Sequence, residues 1–385
     1  MTQRDTRWIT AALALSTAST GPQILALSLL MPELTKALDA TVPQLGQLNT
    51  VFSIISMAGS LIMGAITVRF PPKRLLLAGV STLLVGVGVA AYSTTYTQMI
   101  LAFILYGVGC SLVLPIVGLL LVLYPQQERT TALGRIYSGR SLTSILATPI
   151  IGVLTARYGW RIGYLGFGAP LIALAIILVT TRIPEQPVKQ GAADLMSGFR
   201  KVAANRNALA CLTGAALGLA FFNSLMVFNG TYIRNQLNIP LETAGLVMSL
   251  TFVAVALGQV LSGRLVDRVG VKTATWVSTL VGGLSLLAYF SVPLPLPVAI
   301  LASVIGTGMA GTTMTTMVAL ALEQEPESRG TMMSLNSAAM SMGAMLSTVI
   351  GGTAISNLGF TGYGAIMFTV SLAAAIAFYI GTKEP

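Results

Sequence analysis

In a chain of 385 residues that is 54% hydrophobic and 9% charged, few side chains can do chemistry, and those few lie in apolar surroundings. Arg140 sits in Tyr137-Ser138-Gly139-Arg140-Ser141-Leu142, about one turn inside an apolar stretch. A charge at the centre of a hydrocarbon layer costs about 2.5–3.5 kcal/mol on insertion scales, so it needs a reason. Its planar guanidinium suits bidentate contact with a carboxylate or exchange with a protonatable acid; the alternative is a stem that snorkels to the nearer surface. Glu33 follows Met31-Pro32 where the first apolar stretch ends. It either titrates there or stands solvated at a helix end. The uncharged polar residues Gln23, Asn49, Tyr106, Asn223, Asn229 and Asn336 also fall within apolar stretches, where they bond either a ligand or a neighbouring helix. Met309 and Met340 belong to a methionine-rich pair of stretches, whose thioethers mould to apolar ligands or simply fill packing gaps. This is chemistry of recognition. The chain has no histidine, and no acid pair or metal-ligand cluster falls inside the apolar stretches, so enzymatic catalysis is not expected. No phosphate-cradling glycine loop precedes a Lys-Ser/Thr pair, and no cofactor or metal is expected.

The elements that hold these residues are apolar stretches near 8–31, 44–66, 75–93, 98–123, 135–156, 161–181, 208–231, 243–263, 273–291, 297–322, 331–356 and 361–381. Each is long enough to cross a hydrocarbon core of roughly 30 Å as a helix. The first has no cleavage site after a brief apolar core, so it reads as a retained helix. With both termini placed in the cytoplasm, that side carries 17 Lys and Arg residues and the other side four, Lys36, Arg157, Arg161 and Arg234. This asymmetry predicts a bacterial-type inner-membrane protein with cytoplasmic termini. The formal charge of +10 is spent on orientation, and nucleic-acid binding is excluded. Cys110 and Cys211 lie in apolar surroundings and read as inert thiols.

The chain also repeats itself at an offset of about 200 residues. Gly64 answers Gly263, Glu128-Arg129 answers Ser328-Arg329, Gly152 answers Gly352, and Gly159-Trp160 answers Gly359-Phe360. Four matches in order predict duplication of a six-helix unit, with units at 1–181 and 208–385 joined by a polar linker at 182–207.

The most specific motif is Gly263-Arg264-Leu265-Val266-Asp267-Arg268-Val269-Gly270-Val271-Lys272. It resembles the intracellular loop signature of the major facilitator superfamily, in particular its twelve-helix drug and metabolite efflux group. The first-half counterpart keeps Gly64, Arg69 and a basic end but has Val68 in place of the acid. Ser144, Pro149 and Gly152 resemble a degenerate helix-five motif of antiporters, and Phe103 replaces the arginine that the fourth-helix motif normally carries before Gly107 and Gly109. The resemblance implies an all-α membrane protein of twelve transmembrane helices in two pseudo-symmetric six-helix bundles. It implies a monomer that moves a small molecule across the bilayer by alternating access, with Gly64, Arg69, Arg129, Gly263, Asp267, Arg268, Gly270, Lys272 and Arg329 at the switching loops. The expected activity is export of an amphiphilic or drug-like solute by antiport, with protons coupled through Glu33 and Arg140. Two other readings stay open: a facilitator or exchanger for an organic anion held by Arg140, and a membrane sensor that binds without transport.

Overall fold

The computed structural model describes residues 3–120, 129–182, 201–324 and 329–383. Glu128, Ser328 and most of the 182–207 linker lie outside the described residues. The described chain is helical: α1 Gln3–Ala18, α2 Pro22–Leu38, α3 Val42–Arg69, α4 Pro72–Tyr92, α5 Tyr96–Leu120, α6 Arg129–Tyr158, α7 Trp160–Arg182, α8 Arg206–Asn235, α9 Leu241–Val269, α10 Val271–Ser291, α11 Leu296–Gln324 and α12 Arg329–Gly381. Helix starts follow the local sequence. Pro22 and Pro72 stand where a missing N–H does no harm, and Thr41 forms a reciprocal capping box with Gln44. Counting α1 with α2 as one and α12 as two gives twelve crossings; among the described residues nine helical stretches are long and apolar enough to span a membrane, the doubled α12 being one of them. Its two limbs meet at Gly359, whose φ of 66° and ψ of −170° no side chain tolerates readily. Gly159, with φ +86°, makes the equivalent corner between α6 and α7.

Two departures from the sequence reading concern the first crossing. It is broken at residues 19–21, between α1 and α2, and it does not stop at residue 31. Helix α2 runs through Pro32 to Leu38, so Glu33 lies more than one turn inside the helix rather than at its end.

Packing repeats as the sequence does. A side chain on Gly109 would strike Leu83 and crowd the Gly79 carbonyl, and one on Gly306 would strike Leu286 while touching the Gly282 carbonyl. Likewise Gly59 closes on Ser111, while Gly258 closes on the Gly308 backbone beside Thr312. The same helix pairs therefore approach through the same small residues in each half, as expected where lipid offers no hydrophobic drive for association.

The helices gather into two compact units, Met1–Gly191 with Asn229–Ser249, and Ala192–Phe228 with Leu250–Pro385. In the second, a hydroxyl seam joins α10, α11 and α12: Ser278 and Thr313 are 2.9 Å apart, and Ser371 donates to the Thr279 carbonyl at 2.7 Å. Its chain end is strapped down. Gln324 exchanges two bonds with the Lys383 backbone, both 3.1 Å, and Lys272 donates to the Thr382 carbonyl at 2.8 Å. Asn205 donates to the Gln324 carbonyl at 3.0 Å.

Candidate functional site

The break in the first crossing is written in the run Ser16-Thr17-Ala18-Ser19-Thr20-Gly21-Pro22. Hydroxyls bond back to the preceding turn, Ser16 to the Ala12 carbonyl and Thr17 to that of Leu13, both at 2.8 Å, and Pro22 cannot continue the ladder. Non-helical backbone at membrane depth survives only where protein or a watery cavity surrounds it. Here the surroundings are polar. The Cys110 thiol donates to the Thr20 carbonyl at 3.9 Å, and Arg140 of α6 lies within electrostatic reach of Cys110. Gly21 faces Ser144, whose hydroxyl bonds the Arg140 carbonyl at 3.0 Å. Gln23 donates to the Ser19 carbonyl at 2.9 Å, but its Oε1 is buried without a hydrogen-bond partner. The structure thus brings Gln23, Ser144 and Arg140 to one broken helix. Among the described residues no carboxylate pairs with Arg140.

Asn49 on α3 is 1% exposed, and neither its Oδ1 nor its Nδ2 has a partner. Leaving such groups unpaired costs about 1–3 kcal/mol each, a burden that a ligand's polar groups would relieve. Tyr106 stands one turn before Cys110 on α5, with its ring against Gly86 of α4 and edge-on to Phe103. Its hydroxyl lies near that of Tyr164 on α7, and both are buried without a partner. Tyr164 is absent from the sequence-derived candidates; it stands at the start of the 161–181 stretch, where the sequence gives no sign that it is buried.

The second unit holds the other candidates. Asn336 is 1% exposed, donates to the Met340 sulfur at 3.4 Å and keeps an unpartnered Oδ1. Asn223 instead ties α8 to α12, donating to Ser347 at 2.8 Å and to the Ala344 carbonyl at 3.3 Å. Met309 lines an apolar groove of about 420 Å³ between α9 and α11, together with Leu257, Leu261 and Ile305. Thr312, the lone hydroxyl in that groove, donates to the Gly258 carbonyl at 3.1 Å. Asn229 is buried in α8 and belongs to the first unit.

Glu33 forms an ion pair with Arg234 of α8, inside the first unit. The same arginine donates to the Leu29 carbonyl at 3.1 Å. Gly230, one turn before, donates its N–H to the Ser28 hydroxyl at 3.1 Å and lies so close that a Cβ would come 2.4 Å from the Ser28 carbonyl oxygen. That carbonyl is the one Pro32 leaves without its helical donor. Pro149 does the same to the Ile145 carbonyl, and Ser249 of α9 donates to it at 2.7 Å. Beside it, Gly152 and Gly245 let α6 and α9 meet backbone to backbone: a Cβ on Gly245 would come 2.6 Å from the Thr148 carbonyl oxygen, and one on Gly152 3.1 Å from that of Leu241.

Between α9 and α10, Gly270 has φ +81° and starts α10, while Asp267 and Arg268 end α9 exposed. Gly263 has open space around it, and Lys272 lies over the Tyr379 ring at 5.9 Å. Gly64 and Arg69 lie in α3, and Arg129 and Arg329 open α6 and α12; the side chains at these four positions lie outside the described parts of the chain.

Twelve apolar crossings with an internal repeat, and polar groups buried at a helix break, define a polytopic membrane protein of the transporter class. The sequence profile of the Major Facilitator Superfamily matches residues 11–230 and 210–385, and the chain belongs to that superfamily. It is similar to an MFS-type transporter of Gibberella moniliformis, 26% identical over 81% of this chain and 75% of that one. A shorter match is to the bacillibactin exporter of Bacillus subtilis, 31% identical over 35% of each protein. Among solved structures, a D-xylose-proton symporter superposes with a TM-score of 0.81 at 16% identity, covering 98% of both chains.

Proposed function

We propose that this protein is a secondary active transporter that exports a small amphiphilic or drug-like solute by alternating access, exchanging it for protons. The observation that carries the reading is the pair of buried first-unit amides with polar atoms that lack partners, Gln23 Oε1 and both amide atoms of Asn49, in the same unit as an arginine, Arg140, with no carboxylate partner among the described residues. A fold gains nothing from such groups, whereas a polar solute would satisfy them. The similarity to a bacillibactin exporter favours export. The chain works as a monomer in a bacterial-type cytoplasmic membrane with both termini inside, the orientation that the basic connections favour. Glu33 is the candidate for proton coupling, because among the described side chains it is the acidic one that is not exposed.

A thermal-shift screen of purified protein against drugs, organic anions and sugars at two pH values tests this reading, since ligands stabilise only the state they bind. Amphiphilic solutes should raise the Tm of the wild type and lose that effect in Asn49→Leu. A panel in which no solute distinguishes the two proteins would defeat the assignment. A second reading, exchange of a small organic anion, draws on Arg140 alone, which has no carboxylate partner among the described residues. It requires Arg140→Lys to weaken binding of anions selectively, because lysine cannot reproduce a bidentate fork. Equal loss for neutral and anionic solutes would remove it.

A further inference from the structure

Residues 229–249 come from the second half of the sequence yet pack within the first unit, and four separate contacts hold them there. Arg234 pairs with Glu33 and caps the Leu29 carbonyl; Gly230 seats on Ser28; Ser249 bonds the Ile145 carbonyl; Gly245 closes on Thr148 opposite Gly152. One of these contacts uses a carbonyl that a proline leaves unpaired, Ile145 through Pro149, and at Ser28, whose carbonyl Pro32 leaves without its helical donor, Gly230 bonds the hydroxyl and lies close against the carbonyl. All four lie towards the end of the helices that holds the 38–42, 158–160 and 235–241 connections. Polar contacts and glycine seats can separate and reform without exposing a large apolar core, because each group that is released can turn to water. The ion pair is partly exposed, at 16% for Arg234 and 25% for Glu33, so water can reach it as the seam parts.

We infer that Arg234 is a positioning residue of the transport cycle, acting through Glu33 to latch residues 229–249 against α2, in a latch that releases once per turnover. The inference rests on the alternating-access reading but is independent of the identity of the coupling ion. Pro149 then serves the latch by preparing an acceptor on α6, the Ile145 carbonyl, and Gly230 and Gly245 serve it by letting the backbones touch.

The test uses the full chain in proteoliposomes with Thr231→Cys as reporter. Thr231 is fully buried next to Gly230, so a membrane-impermeant maleimide reaches a cysteine there only when the seam opens. Arg234→Ala and Glu33→Ala should each raise the labelling rate by about tenfold or more, within the range measured for partly buried ion pairs. The exchanged pair, Glu33→Arg with Arg234→Glu, should bring it back towards the wild-type rate and recover solute flux lost in the single variants, a rescue that a merely structural role would not give. Unchanged labelling in both alanine variants would overturn the latch, as would an exchanged pair that labels as fast as either single variant. Should the wild type carry no flux while the labelling pattern appears as expected, the transport reading fails and the ion-pair seam still stands.

Discussion

Replacing Gly230 by alanine is the sharpest perturbation available in the first unit. The new Cβ would lie 2.4 Å from the Ser28 carbonyl oxygen, 2.7 Å from its carbonyl carbon and 2.9 Å from the Leu29 Cα. All three are backbone atoms and no rotamer avoids them. Ordinary contact starts at 3.4 Å, so α2 and α8 must part by about 1 Å. That movement stretches the Gly230 to Ser28 bond of 3.1 Å and the Arg234 contacts above it. Overpacking of this kind costs about 1–3 kcal/mol. If the strain falls on the latched arrangement alone, the latched fraction drops relative to the released one by about 5–150-fold. Spin labels at Ala37→Cys and Gln236→Cys, both exposed, report the separation by double electron–electron resonance, and the buried native Cys110 and Cys211 stay unlabelled. The distance distribution should move to longer values in Gly230→Ala. Gly88→Ala, with open space around it, should leave the distribution unchanged. A folded Gly230→Ala protein with the wild-type distribution and wild-type flux would refute the reasoning.

Further outcomes follow from the same geometry. Asn49→Leu removes an amide whose two polar atoms are buried unpaired, so thermal stability should rise by a few degrees while solute affinity falls by about tenfold or more, read by Tm and by binding. Gln324→Ala deletes the two bonds to the Lys383 backbone and should loosen that segment, seen as faster amide hydrogen exchange at Lys383 and a loss of about 1–3 kcal/mol. Gly270→Ala forces a side chain into φ +81°, which costs about 1–3 kcal/mol and should lower the Tm, whereas Gly263→Ala meets nothing and should not. Arg140→Ala should abolish pH-driven solute counterflow, and retained counterflow would exclude Arg140 from coupling.

Much of the fold is legible in the sequence because lipid imposes simple rules. A crossing needs about 20 apolar residues, and small residues mark where helices touch. The 200-residue offset that pairs Gly159 with Gly359 returns as a positive-φ corner in each half. The break between α1 and α2 is signalled by hydroxyls running into Gly21-Pro22, but mean hydropathy passes over it because the flanking residues are apolar. Pro32-Glu33 reads as a helix end, since a proline and an acid together usually close an apolar run; the helix continues because Arg234 satisfies the acid and Gly230 covers the carbonyl that the proline leaves free. That partnership is invisible in sequence. Its members lie 201 residues apart, and Arg234 counts there only as one of four basic residues outside the cytoplasm. Asn223 shows the opposite limit: its residue type suggests a ligand contact, and only coordinates reveal that Ser347 and Ala344 already engage it.

The claim beneath all of this is that a solute crosses the bilayer against its gradient through this chain. The direct measurement is solute movement in proteoliposomes under an imposed pH difference, using a compound that raises the Tm of the wild type. Uphill movement that collapses when a protonophore is added, and that weakens in Glu33→Gln, is the result expected. A compound that binds tightly yet never appears on the far side, whatever the gradient, would contradict the account.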